Sequence, residues 1–102
     1  MDNGQTQYMV VCTLPQPLHD EFVSRIPQQR QIVNRLLQEG KILNYSLSME
    51  SSQLWVICAA NSEAELMELI STLPLTDFMD IRISELSFFH SANAYAPAFS
   101  VN

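Results

Sequence analysis

The sequence predicts a single α+β domain: an antiparallel sheet with helices on one face. Three observations predict it. Segments with strand and helix periodicity follow one another in the order β-α-β-β-α-β. Two of the strand segments, YMVVCTL and LWVICAA, are apolar on both faces. Of the 102 residues, 47% are hydrophobic, which is enough to build a core for one domain.

Each element has its own signal. Residues 1–5 form a polar start. QYMVVCTL (7–14) is a short apolar run with paired valines, the pattern of a strand, and PQP breaks it. Residues 18–26 are ambiguous: Leu18, Phe22 and Ile26 recur every four positions, and Pro27 either interrupts a helix or starts the next one. From Gln28 to Glu39 the pattern is helical. Ile32, Val33, Leu36 and Leu37 form its stripe, and Gly40 supplies the C-terminal cap.

KILNYSLSM (41–49) alternates, which sets Leu43, Tyr45, Leu47 and Met49 on one face and Ile42, Asn44, Ser46 and Ser48 on the other. ESSQ (50–53) is a turn, and LWVICAA (54–60) completes a hairpin. Ser62 and Glu65 have capping-box spacing, and the helix they open buries Leu66, Leu69, Ile70 and Leu73. MDIRISELSFF (79–89) is the last strand, followed by a small polar tail. This order supports a ferredoxin-like sheet with both helices on one face. The helices cover only one side of strands that are apolar on both. A second copy of the same sheet is the simplest cover, so a homodimer with sheets face to face is expected.

Composition excludes several functions. Eleven acids against five bases give a net charge of −6, which repels phosphate backbones and argues against nucleic acid or anionic membrane as partners. No apolar run approaches the roughly 18 residues of a membrane span. The N-terminus MDNGQTQ lacks the regions of a signal peptide, so a cytoplasmic location is expected. Cys12 and Cys58 sit alone in apolar runs, without a CxxC pair or Cys/His cluster, and are expected to be buried thiols rather than metal ligands.

One stretch goes further. Leu73, Pro74 and Leu75 end a helix, two residues follow, and then come Phe78, Met79, Asp80 and Ile81. This block resembles the muconolactone isomerase family. The likeness runs back without a gap through SEAEL (62–66) to QEGK (38–41), and more loosely to Leu14 and Pro15. The resemblance implies a dimeric α+β barrel that often assembles further. It also implies a cofactor-free proton shift within an unsaturated lactone that carries a carboxylate. Such chemistry needs a base, donors for the dienolate and a cation for the carboxylate. The family's W-R-H-x-W-R motif falls on Ile42, Leu43, Asn44, Tyr45, Ser46 and Leu47, so its tryptophans, arginines and histidine are replaced.

The candidate site residues follow from that frame. His19 and Glu21 are the candidate bases, in a cluster with Asp20 just after the Pro-x-Pro break; their plainer role is a solvated turn opening a helix. Tyr45 and Asn44 are candidate donors, with Ser46 beside them, on the strand where the family places its polar site; core packing is the plainer role for Tyr45. Arg82 is the candidate partner for a substrate carboxylate, sharing a strand face with Asp80, and a cross-strand or intersubunit ion pair is its plainer role. Arg30 and Arg35 flank the helix stripe and are expected to be solvated. The leading expectation is a muconolactone isomerase-like small-molecule pocket protein with no cofactor and no metal. A non-catalytic binding or assembly module on the same barrel and a cofactor-independent monooxygenase are the alternatives.

Overall fold

The computed structural model describes residues 5–90. Expectations for the extreme N-terminus and for most of the C-terminal tail lie outside the described residues. The elements are β1 (Thr6–Thr13), α1 (Asp20–Ser24), α2 (Ile26–Gln38), β2 (Ile42–Ser48), β3 (Gln53–Ala60), α3 (Glu63–Ser71), a 3-10 turn (Thr76–Phe78) and β4 (Asp80–Glu85). The four strands form one antiparallel sheet in the order β2-β3-β1-β4. This is the ferredoxin-like α+β arrangement.

Local chemistry sets the helix ends. The ambiguous stretch before Pro27 forms its own short helix, α1, and Pro27 lies in the first turn of α2, where its missing N–H leaves no bond unmade. At the other end of α2, Gly40 takes a φ of +74°, open to glycine without strain. The Lys41 N–H then donates to the Leu36 carbonyl at 2.9 Å and the Gly40 N–H to Leu37 at 3.2 Å, a Schellman closure. The Ser62 hydroxyl accepts from the Glu65 N–H at 3.1 Å, and the Glu65 carboxylate accepts from the Asn61 N–H at 2.8 Å. The Ser62–Glu65 pair thus opens α3 on the expected residues, with the Glu65 carboxylate reaching one residue beyond the N-cap.

The core lies between the sheet and the helices. Tyr8, Val10 and Cys12 of β1 and Leu54, Val56 and Cys58 of β3 meet Phe22, Val33, Leu36, Leu66 and Ile70 there. Both cysteines are buried and unpaired. Leu75 is buried as well, while Phe78 is half-buried, its ring centroid 5.2 Å from His19, 6.0 Å from Phe22 and 5.2 Å from the Arg25 guanidinium carbon. The 73–81 stretch is thus a packing device that carries the chain from α3 to β4.

Three expectations need correction. Leu37 is exposed. The inward stripe of α2 is Gln29, Val33 and Leu36, spaced four and three residues apart, and Leu37 lies a further 100° around the helix. In β2 the alternation breaks at Leu43, where a bulge lets Ile42 pair with Cys58 and Asn44 with Ile57. Ile42 therefore joins Tyr45 and Leu47 on the helix side and is only 1% exposed, whereas Leu43 is exposed. The last strand ends at Glu85 instead of residue 89, and Phe88 stands out in solvent.

No helix among the described residues covers the opposite sheet face. Met9 and Val11 of β1 and Trp55 and Ile57 of β3 form a half-buried apolar stripe along its centre. Asn44, Ser46 and Ser48 border it on β2, and Asp80, Arg82 and Ser84 border it on β4. Among the described residues, no helix is long and apolar enough to cross a membrane.

Candidate ligand pocket

A cavity of about 220 Å³ opens between the α1–α2 pair and the β2 side of the sheet. Its walls are mainly apolar. Leu18, Phe22 and Ile26 come from the helical side, Leu54 and Leu75 from the floor, and Leu47 and Met49 from the rim. Leu47 and Met49 are strongly exposed, so apolar surface continues out of the mouth. Three polar side chains join the lining: Gln29, Arg30 and Tyr45.

Gln29 and Tyr45 meet because α2 packs over β2. One turn before Val33, Gln29 occupies a stripe position and is 2% exposed. Its Nε2 donates to the Tyr45 hydroxyl at 3.2 Å, and its Oε1 accepts from the Leu75 N–H at 3.1 Å. The same pair borders a void of about 10 Å³ beneath the cavity, which also touches Cys12, Val56 and Cys58. Burial pushes the Tyr45 phenol above its ordinary range, while the Gln29 hydrogen bond and the Arg30 charge act in the opposite direction. Burial also pushes the Cys12 thiol up to about 11.

The predicted site residues separate into three places. Tyr45 lines the cavity. His19 and Glu21 do not: His19 precedes α1 with its ring against Phe78, and Glu21 is exposed and pairs with Arg25 at 2.7 Å. Asn44, Ser46 and Arg82 lie on the uncovered sheet face. There the Ser46 hydroxyl donates to the Asn44 side-chain oxygen at 2.9 Å. β2 and β4 are the two sheet edges, so Arg82 is about 14 Å from Asn44 and Ser46 at ordinary strand spacing. Arg82 and Asp80 share that face without an ion pair between them. Gln29 is a site residue absent from the sequence-based candidates. Its signal was a polar residue at stripe spacing on an otherwise apolar helix face.

A second groove, of about 390 Å³, runs between α2 and α3 and is lined by Arg35, Glu39, Lys41, Glu65 and Glu68. Its charges are mixed and partly paired: Glu39 lies 3.9 Å from Arg35 and 3.5 Å from Lys41. Among the described residues, no group of three or more His, Cys, Asp and Glu side chains could hold a metal ion.

A fold with an open-mouthed apolar pocket between helices and an antiparallel sheet defines a class of small α+β proteins. The sequence pattern of the muconolactone delta-isomerase family matches residues 7–92, and the chain belongs to that family. The crystal structure of a muconolactone isomerase superposes with a TM-score of 0.67 at 22% identity, covering 83% of this chain and 96% of that one. MtbAldR gives 0.56 at 14% identity over 85% of this chain and 56% of its own. PA3566 from Pseudomonas aeruginosa gives 0.51 at 13% identity over 84% and 96%. At these identities the superpositions speak for the fold. No curated protein is significantly similar in sequence.

Proposed function

We propose that the protein is a homodimeric pocket protein of the muconolactone isomerase family that binds a compact, largely apolar acid or lactone and does not carry out the proton shift at an ordinary enzymatic rate. The observation that carries this reading is the lining of the cavity. At about 220 Å³ it is smaller than the roughly 300–1,000 Å³ of drug-sized sites, which suits a compact ligand. Arg30 at the lining offers a charge-assisted bond to a carboxylate. The hydroxyl of Tyr45 offers a second polar contact. A proton shift also needs a base. Arg30 and Tyr45 are the ionisable groups among the described lining residues, and a phenol held above its ordinary range stays protonated near neutrality.

Assembly enters through the other face of the sheet. The half-buried stripe of Met9, Val11, Trp55 and Ile57 is apolar, as a sheet-to-sheet contact requires, and a second copy would bring the same apolar stripe to it.

The test is titration of the purified protein with muconolactone, read by calorimetry, beside the absorbance change of the lactone. Binding at millimolar or lower concentration with turnover far below about 10 per second is expected. Turnover near that rate would refute the non-catalytic reading. Absence of binding by muconolactone and by other small lactones and acids would refute the pocket reading.

A further inference from the structure

The hydrogen bonds around Gln29 have a fixed sense. A backbone N–H only donates, so the Leu75 N–H, 3.1 Å from Oε1, holds the carboxamide oxygen on its side. The NH2 group must then face Tyr45, whose hydroxyl oxygen is 3.2 Å from Nε2. An amide nitrogen also only donates, so the Tyr45 oxygen is the acceptor in this bond. Its own proton cannot lie along the same line. Among the described residues, no acceptor takes that proton. Burial, which raises the phenol's pKa, keeps the proton in place. The hydroxyl therefore presents to the cavity a donor that is polarised by the bond it accepts.

We propose that Gln29 is a positioning residue that fixes Tyr45 as a one-way hydrogen-bond donor, so that the cavity selects ligands carrying an acceptor, such as a carbonyl oxygen, at its inner end. The proposal rests on the pocket reading above. A ligand without an acceptor covers the donor with apolar surface and leaves it unpaired, and the cost of an unmade bond exceeds the gain from a made one. Arg30 would hold an acidic group on the same ligand, and the two contacts together fix its direction in the cavity.

Two matched probes test it. One is oxocyclohexane carboxylate, a cyclic keto acid. The other replaces its ketone oxygen by an exocyclic methylene of similar shape. The unmodified protein should bind the ketone several-fold to about tenfold more tightly, and the carbonyl infrared band of the bound ketone should shift to lower frequency. Tyr45→Phe keeps the ring and should bring the affinity ratio to about one and abolish the shift. Gln29→Met removes both amide contacts at similar volume and should lower the ratio while Tyr45 is still present.

One measurement needs no substitution. In the unmodified protein the side-chain amide protons of Gln29 should exchange slowly with water, because the group is held at both ends. Equal binding of both probes would overturn the donor assignment and leave the pocket standing; failure of both to bind would overturn this proposal, and failure of muconolactone and other small lactones and acids as well would remove the pocket with it. Fast exchange at Gln29, or an unchanged ratio in a folded Gln29→Met protein, would overturn its positioning role.

Discussion

The two faces of the sheet are built from the same strands and have different fates. On one face Tyr8, Val10, Cys12, Leu54, Val56 and Cys58 are each at most 6% exposed beneath the helices. On the other, Met9, Val11, Trp55 and Ile57 are about as apolar yet only half-buried, with no element of the described chain above them. Alternation along a strand therefore reports how many faces are apolar, not what covers each one. The covered face also holds the cavity. The open face holds three of the polar residues that the sequence marks as substrate ligands, Asn44, Ser46 and Arg82.

The largest contrast should appear in thiol chemistry, because both cysteines belong to the covered face. Burial pushes Cys12 up to about 11 and Cys58 up to about 12 from an ordinary 9.0. At pH 8 the native thiolate fraction is then lower than that of the unfolded chain by about two to three powers of ten, and alkylation should slow by at least that factor. The sign for stability follows. Above pH 9 the unfolded chain loses thiol protons that the native state keeps. Stability is intact below that pH and falls as pH rises through about 11 and 12. Equal alkylation rates in native protein and in denaturant would show that the covered face opens freely.

Next in size are two substitutions at adjacent positions of β3. Leu54→Ala removes a fully covered side chain and should cost about 2–5 kcal/mol of unfolding free energy, whatever the protein concentration. Trp55→Asp removes an open-face ring. It should leave the fold of the isolated chain intact and weaken self-association. A two-fold interface carries the change twice, so the dimer constant should rise by roughly a hundredfold or more. Denaturation at several concentrations and sedimentation separate the two effects. A stable monomer of the unmodified chain at micromolar concentration would refute the two-sheet assembly.

Most of the fold was legible because its signals are local. Gly40 and the Ser62–Glu65 pair mark helix ends through bonds made within a few residues. The strand order follows from the sequence of elements. The features that the letters do not show depend on pairing and backbone conformation. The bulge at Leu43 leaves the apolar and polar letters of β2 unchanged but moves Ile42 across the sheet, and only its pairing with Cys58 shows this. Pro27 announced a break, but whether α1 and α2 were one helix or two depended on the backbone at Arg25. The site was less legible than the fold. The candidate polar residues lie on β2, on β4 and at the start of α1, while the polar contact that shapes the cavity is Gln29, a residue that in the sequence is one of several glutamines on a helix. Its burial is decided by what packs over it.

The smallest expected effect concerns Glu21, the candidate base that lies outside the cavity. Its carboxylate sits 2.7 Å from Arg25 one helical turn away, and both side chains are exposed. Such pairs contribute about 0.3–0.5 kcal/mol, and salt screens them. Arg25 also lies over the Phe78 ring, so losing the carboxylate leaves the guanidinium with a contact that keeps it in place. Glu21→Gln should therefore lower stability by no more than about 0.5 kcal/mol, and the deficit should vanish in high salt. Ligand affinity and any residual turnover of muconolactone should stay within twofold of the unmodified protein. Arg30→Gln is the matching substitution at the cavity lining. It removes a charge-assisted bond and should weaken binding of a carboxylate by about tenfold or more. If Glu21→Gln instead lowered turnover a hundredfold while leaving stability alone, Glu21 would be acting as a base. The helix carrying it would then have to close over the cavity when ligand binds, and the division between a covered face with the pocket and a surface around it would need redrawing at α1.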